Sequence, residues 1–156
     1  MKVLVVTQDA RVSLQITTAL VGDGEIAMLE VRTPQRALQQ IDDVGGFDLV
    51  VADADTVPTG GFALAREIKA RKRMGREVPP IVLLIARAQD TFLSRWSEAD
   101  AFVLKPADPF NLHAVLQAVA AGSVVPELPG VGAPAESSRA LGVPGAGRGS
   151  PLTGPG

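Results

Sequence analysis

Five short, continuously apolar segments recur along the first part of this chain, and a stretch of helical period follows each of them. A segment apolar at every position, rather than at alternate ones, suits a strand covered on both faces of its sheet. Lys2-Val3-Leu4-Val5-Val6-Thr7 is the first, and Arg11 to Val21 then sets Val12, Ile16, Ala19 and Leu20 on one helical face. Ile26 to Val31 reads as the second strand. Thr33-Pro34, a capping hydroxyl before a proline, opens a helix through Ile41, and Gly45-Gly46 closes that unit. Asp48 to Asp53 is the third strand, and a glycine-bearing loop leads from it into a helix running from Phe62 to about Arg73. Pro79-Pro80 precedes the strand Ile81 to Ala86, a short helix near Asp90 to Ser97 follows, and Ala101-Phe102-Val103-Leu104 is the fifth strand. Asp108-Pro109 repeats the cap-plus-proline start for a last helix, which Gly122 stops. This alternation predicts an α/β fold: a doubly wound five-stranded parallel sheet with right-handed crossovers. In such sheets the working site lies outside the carboxyl ends of the strands.

Composition changes abruptly near Gly122. Residues 123–156 hold 8 of the 16 glycines and 6 of the 12 prolines, and no aromatic residue. So few apolar groups cannot offset the entropy of ordering so many glycines, which predicts a domain over 1–122 and a disordered Gly/Pro-rich tail over 123–156. The alternative is docking of Val124-Val125 and Leu128 against the domain. No segment after Gly122 carries the pattern of a helix-turn-helix. The chain has 156 residues, enough for one domain, with no cysteine and a single histidine, His113. Disulfides, thiol catalysis and histidine-rich metal sites are thereby excluded. A net charge of −2, with aromatics at 4% and no tyrosine, gives no push toward nucleic acid or an anionic membrane. The longest apolar run near the start, Val3 to Val6, is too short for a leader or a span, and the expected location is cytoplasmic.

At the carboxyl ends of the five strands stand Thr7, Gln8 and Asp9, then Asp53 with Asp55 two residues on, then Ile85 and Ala86, and finally Lys105. Several further features accompany them. These are Phe47 to Asp53 as a run, Gly61-Phe62 after the aspartate, Pro80 to Leu84, and Ala99-Asp100-Ala101-Phe102-Val103-Leu104-Lys105-Pro106. On these residues the chain resembles, over about residues 1–121, the receiver domain of bacterial response regulators, the CheY-like family. The resemblance implies a flavodoxin-like receiver fold in which a phosphoryl group passes from a donor to the strand-three aspartate. It implies a magnesium ion held by carboxylates, a strand-five lysine that neutralises phosphoryl charge, a hydroxyl at the end of strand four, and an aromatic on strand five that changes rotamer. Carried onto this sequence, Asp53 is the candidate phosphoacceptor, Lys105 the pocket cation and Phe102 the switch aromatic. The Lys105-Pro106 bond is implied to be cis.

The pattern is broken in two places. The adjacent acidic pair stands here as Thr7-Gln8, and the strand-four hydroxyl as Ile85, which cannot donate a hydrogen bond. The proline after the acceptor, Pro58, comes one residue later than usual, and the region of the fourth helix is about two residues short. Thr7, Gln8 and Ile85 therefore mark a degenerate pocket. Metal ligation is reduced to Asp53 and Asp9, so any magnesium site is weak and none is required. Asp9 reads better as a helix cap and Asp55 as a solvated loop residue. The basic run Arg66, Lys69, Arg71, Lys72, Arg73 and Arg76 reads better as a solvated helix end than as a nucleic-acid patch. His113 is a surface or packing residue. Trp96, with Arg95, is equally suited to core packing and to a partner contact.

The expected function is that of an atypical stand-alone receiver module, not an enzyme, acting in phosphorelay signal transduction by protein–protein interaction. Its expected partner is a histidine kinase or another signalling protein, and homodimerisation is open. The alternative is a working phosphoacceptor regulator, phosphorylated on Asp53 by a histidine kinase and served by a weak magnesium site. A flavin or mononucleotide binder is disfavoured, because no glycine-rich cradle follows any strand.

Overall fold

The computed structural model describes residues 1–22 and 24–133. The strands are β1 (Lys2–Val6), β2 (Ala27–Val31), β3 (Leu49–Asp53), β4 (Ile81–Ile85), β5 (Ala101–Leu104) and β6 (Val131–Gly132). The helices are α1 (Ala10–Leu20), α2 (Pro34–Asp43), α3 (Gly60–Arg73), α4 (Thr91–Ser97) and α5 (Pro109–Ala120). They form one sheet in the order β2-β1-β3-β4-β5-β6, parallel except for the last pair. Among the described residues no helix is long and apolar enough to cross a membrane.

The three central strands β1, β3 and β4 are continuously apolar because both of their faces are covered. Val3, Val5, Leu49, Val51, Val82 and Leu84 pack toward α1 and α5, where they meet Ile16, Leu112 and Leu116. Leu4, Val6, Val50, Ala52, Ile81, Leu83 and Ile85 pack on the other face with Ala37, Leu64 and Ile68 of α2 and α3. Two of the helix starts show their local chemistry plainly. Thr33 and Asp108 extend their side-chain oxygens to backbone N–H groups of the first turn, each followed by proline. Lys105-Pro106 is cis, as the resemblance implies, and Val57-Pro58 is cis as well.

The sequence boundary needs correction. Gly122, at φ +71, does end α5, but residues 123–133 are not a tail. Leu128 O accepts from Val131 N at 3.1 Å across Pro129-Gly130, and Gly130 has φ +74. Proline followed by a positive-φ glycine is the signature of a type II turn. The turn sends the chain back antiparallel to β5, pairing Val103 with Val131 and Phe102 with Gly132. The five-stranded expectation thus gains a short sixth strand, with Val125 and Val131 packed against the α1/α5 side of the core. Docking prevails here because the apolar residues of the segment cluster in its first part, where a composition averaged over 123–156 dilutes them. The disorder expected over 134–156 lies outside the described residues.

Candidate functional site

Three parallel strands, the neighbours β1 and β3 and, beyond β4, β5, end at the same edge of the sheet with a polar residue at each end. Thr7 follows β1, Asp53 ends β3 and Lys105 follows β5. Thr7 is fully buried and Asp53 is nearly so. The Asp53 carboxylate is engaged on both oxygens. Oδ1 accepts from Lys105 Nζ at 2.7 Å and from the Asp55 backbone N–H at 3.0 Å. Oδ2 accepts from the Thr7 hydroxyl at 3.1 Å. Lys105 Nζ also donates to Asp55 Oδ2 at 3.0 Å, so one ammonium bridges two carboxylates. Burial disfavours the Lys105 charge. The hydrogen bonds and charges of Asp53 and Asp55 outweigh that effect and raise its pKa above the ordinary lysine value.

The loop after Asp53 is shaped by glycine. A Cβ on Gly61 would lie 2.9 Å from the Asp53 carbonyl oxygen and 3.0 Å from Ala54 Cα, so only glycine lets the start of α3 lie against the acceptor strand. Thr56 adds a hydroxyl bond to Asp53 O at 3.0 Å. Gln8 holds the rim from the other side. Its Nε2 donates to Arg32 O at 2.8 Å and to Val57 O at 2.7 Å, and its Oε1 accepts from Val57 N at 3.4 Å. The loops after β1, β2 and β3 are thereby stapled by one amide, a task that needs donors and so cannot be done by a carboxylate.

Asp9 caps α1, accepting from Arg11 N at 2.8 Å. That backbone bond and the Arg11 charge hold its carboxyl below the ordinary aspartate value, against a smaller opposing effect of desolvation. Among the described residues no group of three or more His, Cys, Asp or Glu could hold a metal ion. Hard divalent cations take several oxygen ligands. Here Asp53 is already bonded at both oxygens, the Asp9 oxygen serves the cap, and Thr7 and Gln8 bring no charge. As charged oxygens this leaves Asp53 and Asp9 to face a cation, fewer than the several ligands a hard divalent ion takes.

Ile85 ends β4 fully buried in the α2/α3-side core. Phe102 packs partly buried against the same cluster. Over its ring lies Gly132 of β6, where an added Cβ would overlap the ring atoms. Trp96 is half-exposed, with the Arg66 guanidinium 4.5 Å over its ring and Arg66 Nη1 donating to its backbone oxygen at 2.8 Å. Arg95 beside it is exposed.

Two readings made from sequence are extended here. Asp55 is the exposed loop residue expected, and in addition the second partner of Lys105. The basic run is a solvated helix end at Lys72, Arg73 and Arg76, as expected, but several of its members are also paired. Lys69 is buried against Asp100 at 2.8 Å, Arg71 and Arg76 reach Asp42 of α2, and Arg73 reaches Glu98. Sequence reasoning also missed that Thr7 donates to Asp53 and that β6 covers Phe102. The Pro129-Gly130 dipeptide was the available signal for the second. For the first, a small hydroxyl residue one strand from an aspartate is a signal only once the strand order is known.

No protein-family model matches the chain. Two Mycobacterium tuberculosis proteins, from two strains and described as uncharacterized response regulatory proteins, are 38% identical over 88 residues, 56% of this chain and 63% of theirs. The chain thus spans under two thirds of the length of these curated relatives. The chemotaxis response regulator CheY4 of Vibrio cholerae superposes with a TM-score of 0.64 at 20% identity, over 76% of this chain and 97% of its own. The receiver domain of Ssk1 from Saccharomyces cerevisiae, in co-crystal with the phosphotransfer protein Ypd1, reaches 0.68 at 17% identity, over 80% of this chain and 92% of that one. With the strand order and the Asp53–Lys105 pair, these likenesses identify the fold of this chain as that of the CheY-like response regulator receiver domains.

Proposed function

We propose that this chain is a receiver module of two-component signalling that acts by binding another protein, with a pocket that does not depend on phosphorylation. One observation carries the reading: the Asp53 carboxylate is bonded at both oxygens by groups of the chain itself, with Lys105 at 2.7 Å and Thr7 at 3.1 Å. Oδ1 has both acceptor sites filled, by Lys105 and the Asp55 N–H, so attack on phosphorus is left to the remaining lone pair of Oδ2. The incoming phosphoryl oxygens would then meet Ile85 where a hydroxyl is needed, and a buried unpaired oxygen of a charged group costs about 1–3 kcal/mol or more. Lys105 supports the same reading, because Asp55 already shares its charge.

The partner class is a histidine kinase or a phosphotransfer protein. The surface proposed for it is that of Arg95 and the half-exposed Trp96, which stand one residue apart on α4 near the exposed Phe92. The likeness to a receiver held in complex with Ypd1 supports this class. The proposed location is the cytoplasm, with no nucleic acid and no membrane engaged and no catalytic turnover.

The test is incubation with a small acyl phosphate and magnesium, read by intact mass. No added phosphoryl mass is expected at ordinary millimolar magnesium, and Asp53→Asn is expected to keep partner binding at equal folded protein. A phosphorylated species that vanishes in Asp53→Asn, together with loss of partner response, would overturn the reading in favour of a working phosphoacceptor. The preserved Asp53–Lys105 pair is the observation on that side. Trp96→Ala is expected to weaken binding tenfold or so, as an exposed aromatic anchor does.

A further inference from the structure

The β5 edge of this sheet is not open. Residues 130–132, at the end of the segment 123–133, lie along it, and the contact has an unusual requirement. Gly132 is not one of the glycines with positive φ, so its backbone would accept any residue. What demands glycine there is the Phe102 ring, which occupies the space a Cβ would fill. We propose that residues 123–133 are a strap that closes the β5 edge and holds the Phe102 ring in place, so that movement of that ring and uncovering of the edge are one event.

Several observations place the strap between firm docking and release. β6 is two residues long and pairs with β5 at Phe102–Gly132 and Val103–Val131. Leu104 N donates to Gly130 O at 2.8 Å, and Gly130 lies against the Leu104 side chain. Val131 packs into the α1/α5-side core, whereas Phe102 belongs to the α2/α3-side cluster that contains Ile85. The strap thus touches both layers of the molecule through adjacent residues of β5. A change of packing around Ile85 reaches the strap through a single ring. When the strap lifts, the Leu104 N–H and its neighbours face outward in extended geometry, the backbone pattern that accepts an added strand. With the strap docked, that edge is closed to any extended segment.

The inference does not depend on whether Asp53 is phosphorylated, and its test uses no phosphodonor. In the full chain, amide exchange at Leu104 and limited proteolysis within 123–133 are compared for the parent, Gly132→Ala, Phe102→Ala and the double variant. Gly132→Ala is expected to speed Leu104 exchange by about tenfold or more and to expose 123–133 to cleavage, while the β1 and β3 amides keep their protection. Adding Phe102→Ala is expected to bring Leu104 exchange back to the level of Phe102→Ala alone, since the overlapping ring is gone. Unchanged protection in Gly132→Ala would overturn the proposal, as the ring would then yield beneath a docked strap. So would a double variant as open as Gly132→Ala. Should Gly132→Ala lose global protection, Val131→Asp releases the strap at a different residue. The aromatic resonances of Phe102 must then change, and their constancy in a chain with a released strap would also overturn the coupling.

Discussion

At the carboxyl ends of β1, β3 and β5, four polar side chains hold one another at 2.7–3.1 Å, and two of them are almost completely buried. Along the outer edge of β5, a two-residue strand is held by a short ladder, a tight turn and the fit of one glycine over one ring. The two regions share β5 but differ in what removing a single group leaves behind. In the pocket, a lost partner strands a charge where water cannot reach it. At the edge, a lost contact returns backbone groups to solvent, which satisfies them again. The pocket is therefore costly to change and the edge is cheap. A part that must stay put and a part that is able to move are distinguished by burial rather than by the number of bonds.

The sharpest way to break this contrast is Lys105→Ala. It leaves Asp53 buried with its main cation gone, and breaking a buried pair from one side typically costs about 3–5 kcal/mol. Chemical denaturation should show a lower midpoint of that order, with part of the loss recovered by adding Asp53→Asn. If Lys105→Ala is nearly neutral, the pocket is not the rigid region claimed. Gly61→Ala comes next. Its methyl would press on the Asp53 carbonyl and Ala54, and overpacking against backbone costs about 1–3 kcal/mol. Gln8→Ala should cost about 1 kcal/mol, the ordinary worth of lost hydrogen bonds at a partly solvated rim, and should raise amide exchange at Val57.

The smallest effects are those of pH. Lys105 has a raised folded pKa, so its stabilisation is complete below the unfolded value near 10.5 and disappears as pH rises through the folded value. Asp42, lowered chiefly by its hydrogen bond from Arg71, behaves in the opposite sense. Its contribution is present above 3.8 and fades as pH falls through the lowered value. Being partly exposed, the Arg71–Asp42 pair is screened, and the acid loss should be about 0.2–1 kcal/mol. Stability measured at pH 3 and pH 6 in the parent and in Asp42→Asn checks this, the variant losing the difference.

Most of the fold was legible because its causes are local. Continuous apolar runs marked the buried strands, and Thr33-Pro34 and Asp108-Pro109 marked helix starts, since both signals act within a few residues. Lys105 opposite Asp53 was legible only through a family pattern. The engagement of Asp55 and the bond from Thr7 to Asp53 were not, because both depend on which strand ends become neighbours. β6 was missed for another reason. A composition argument treats a segment as a whole, whereas the Pro129-Gly130 turn acts at a single point and brings Val131 onto β5.

The amide staple made by Gln8 also sets an order on mutational paths. Gln8→Asp would add an anion to the pocket but remove both donors that tie Arg32 O and Val57 O together. Thr7→Asp would place a second anion against Asp53 where a hydroxyl now donates to it. Taken singly, each step loses a bond before any cation is gained, so each single variant is expected to fold less stably than the parent. The two changes are useful only together and only with a metal present. On this account single substitutions at these two positions leave the present pocket only at a cost in hydrogen bonds.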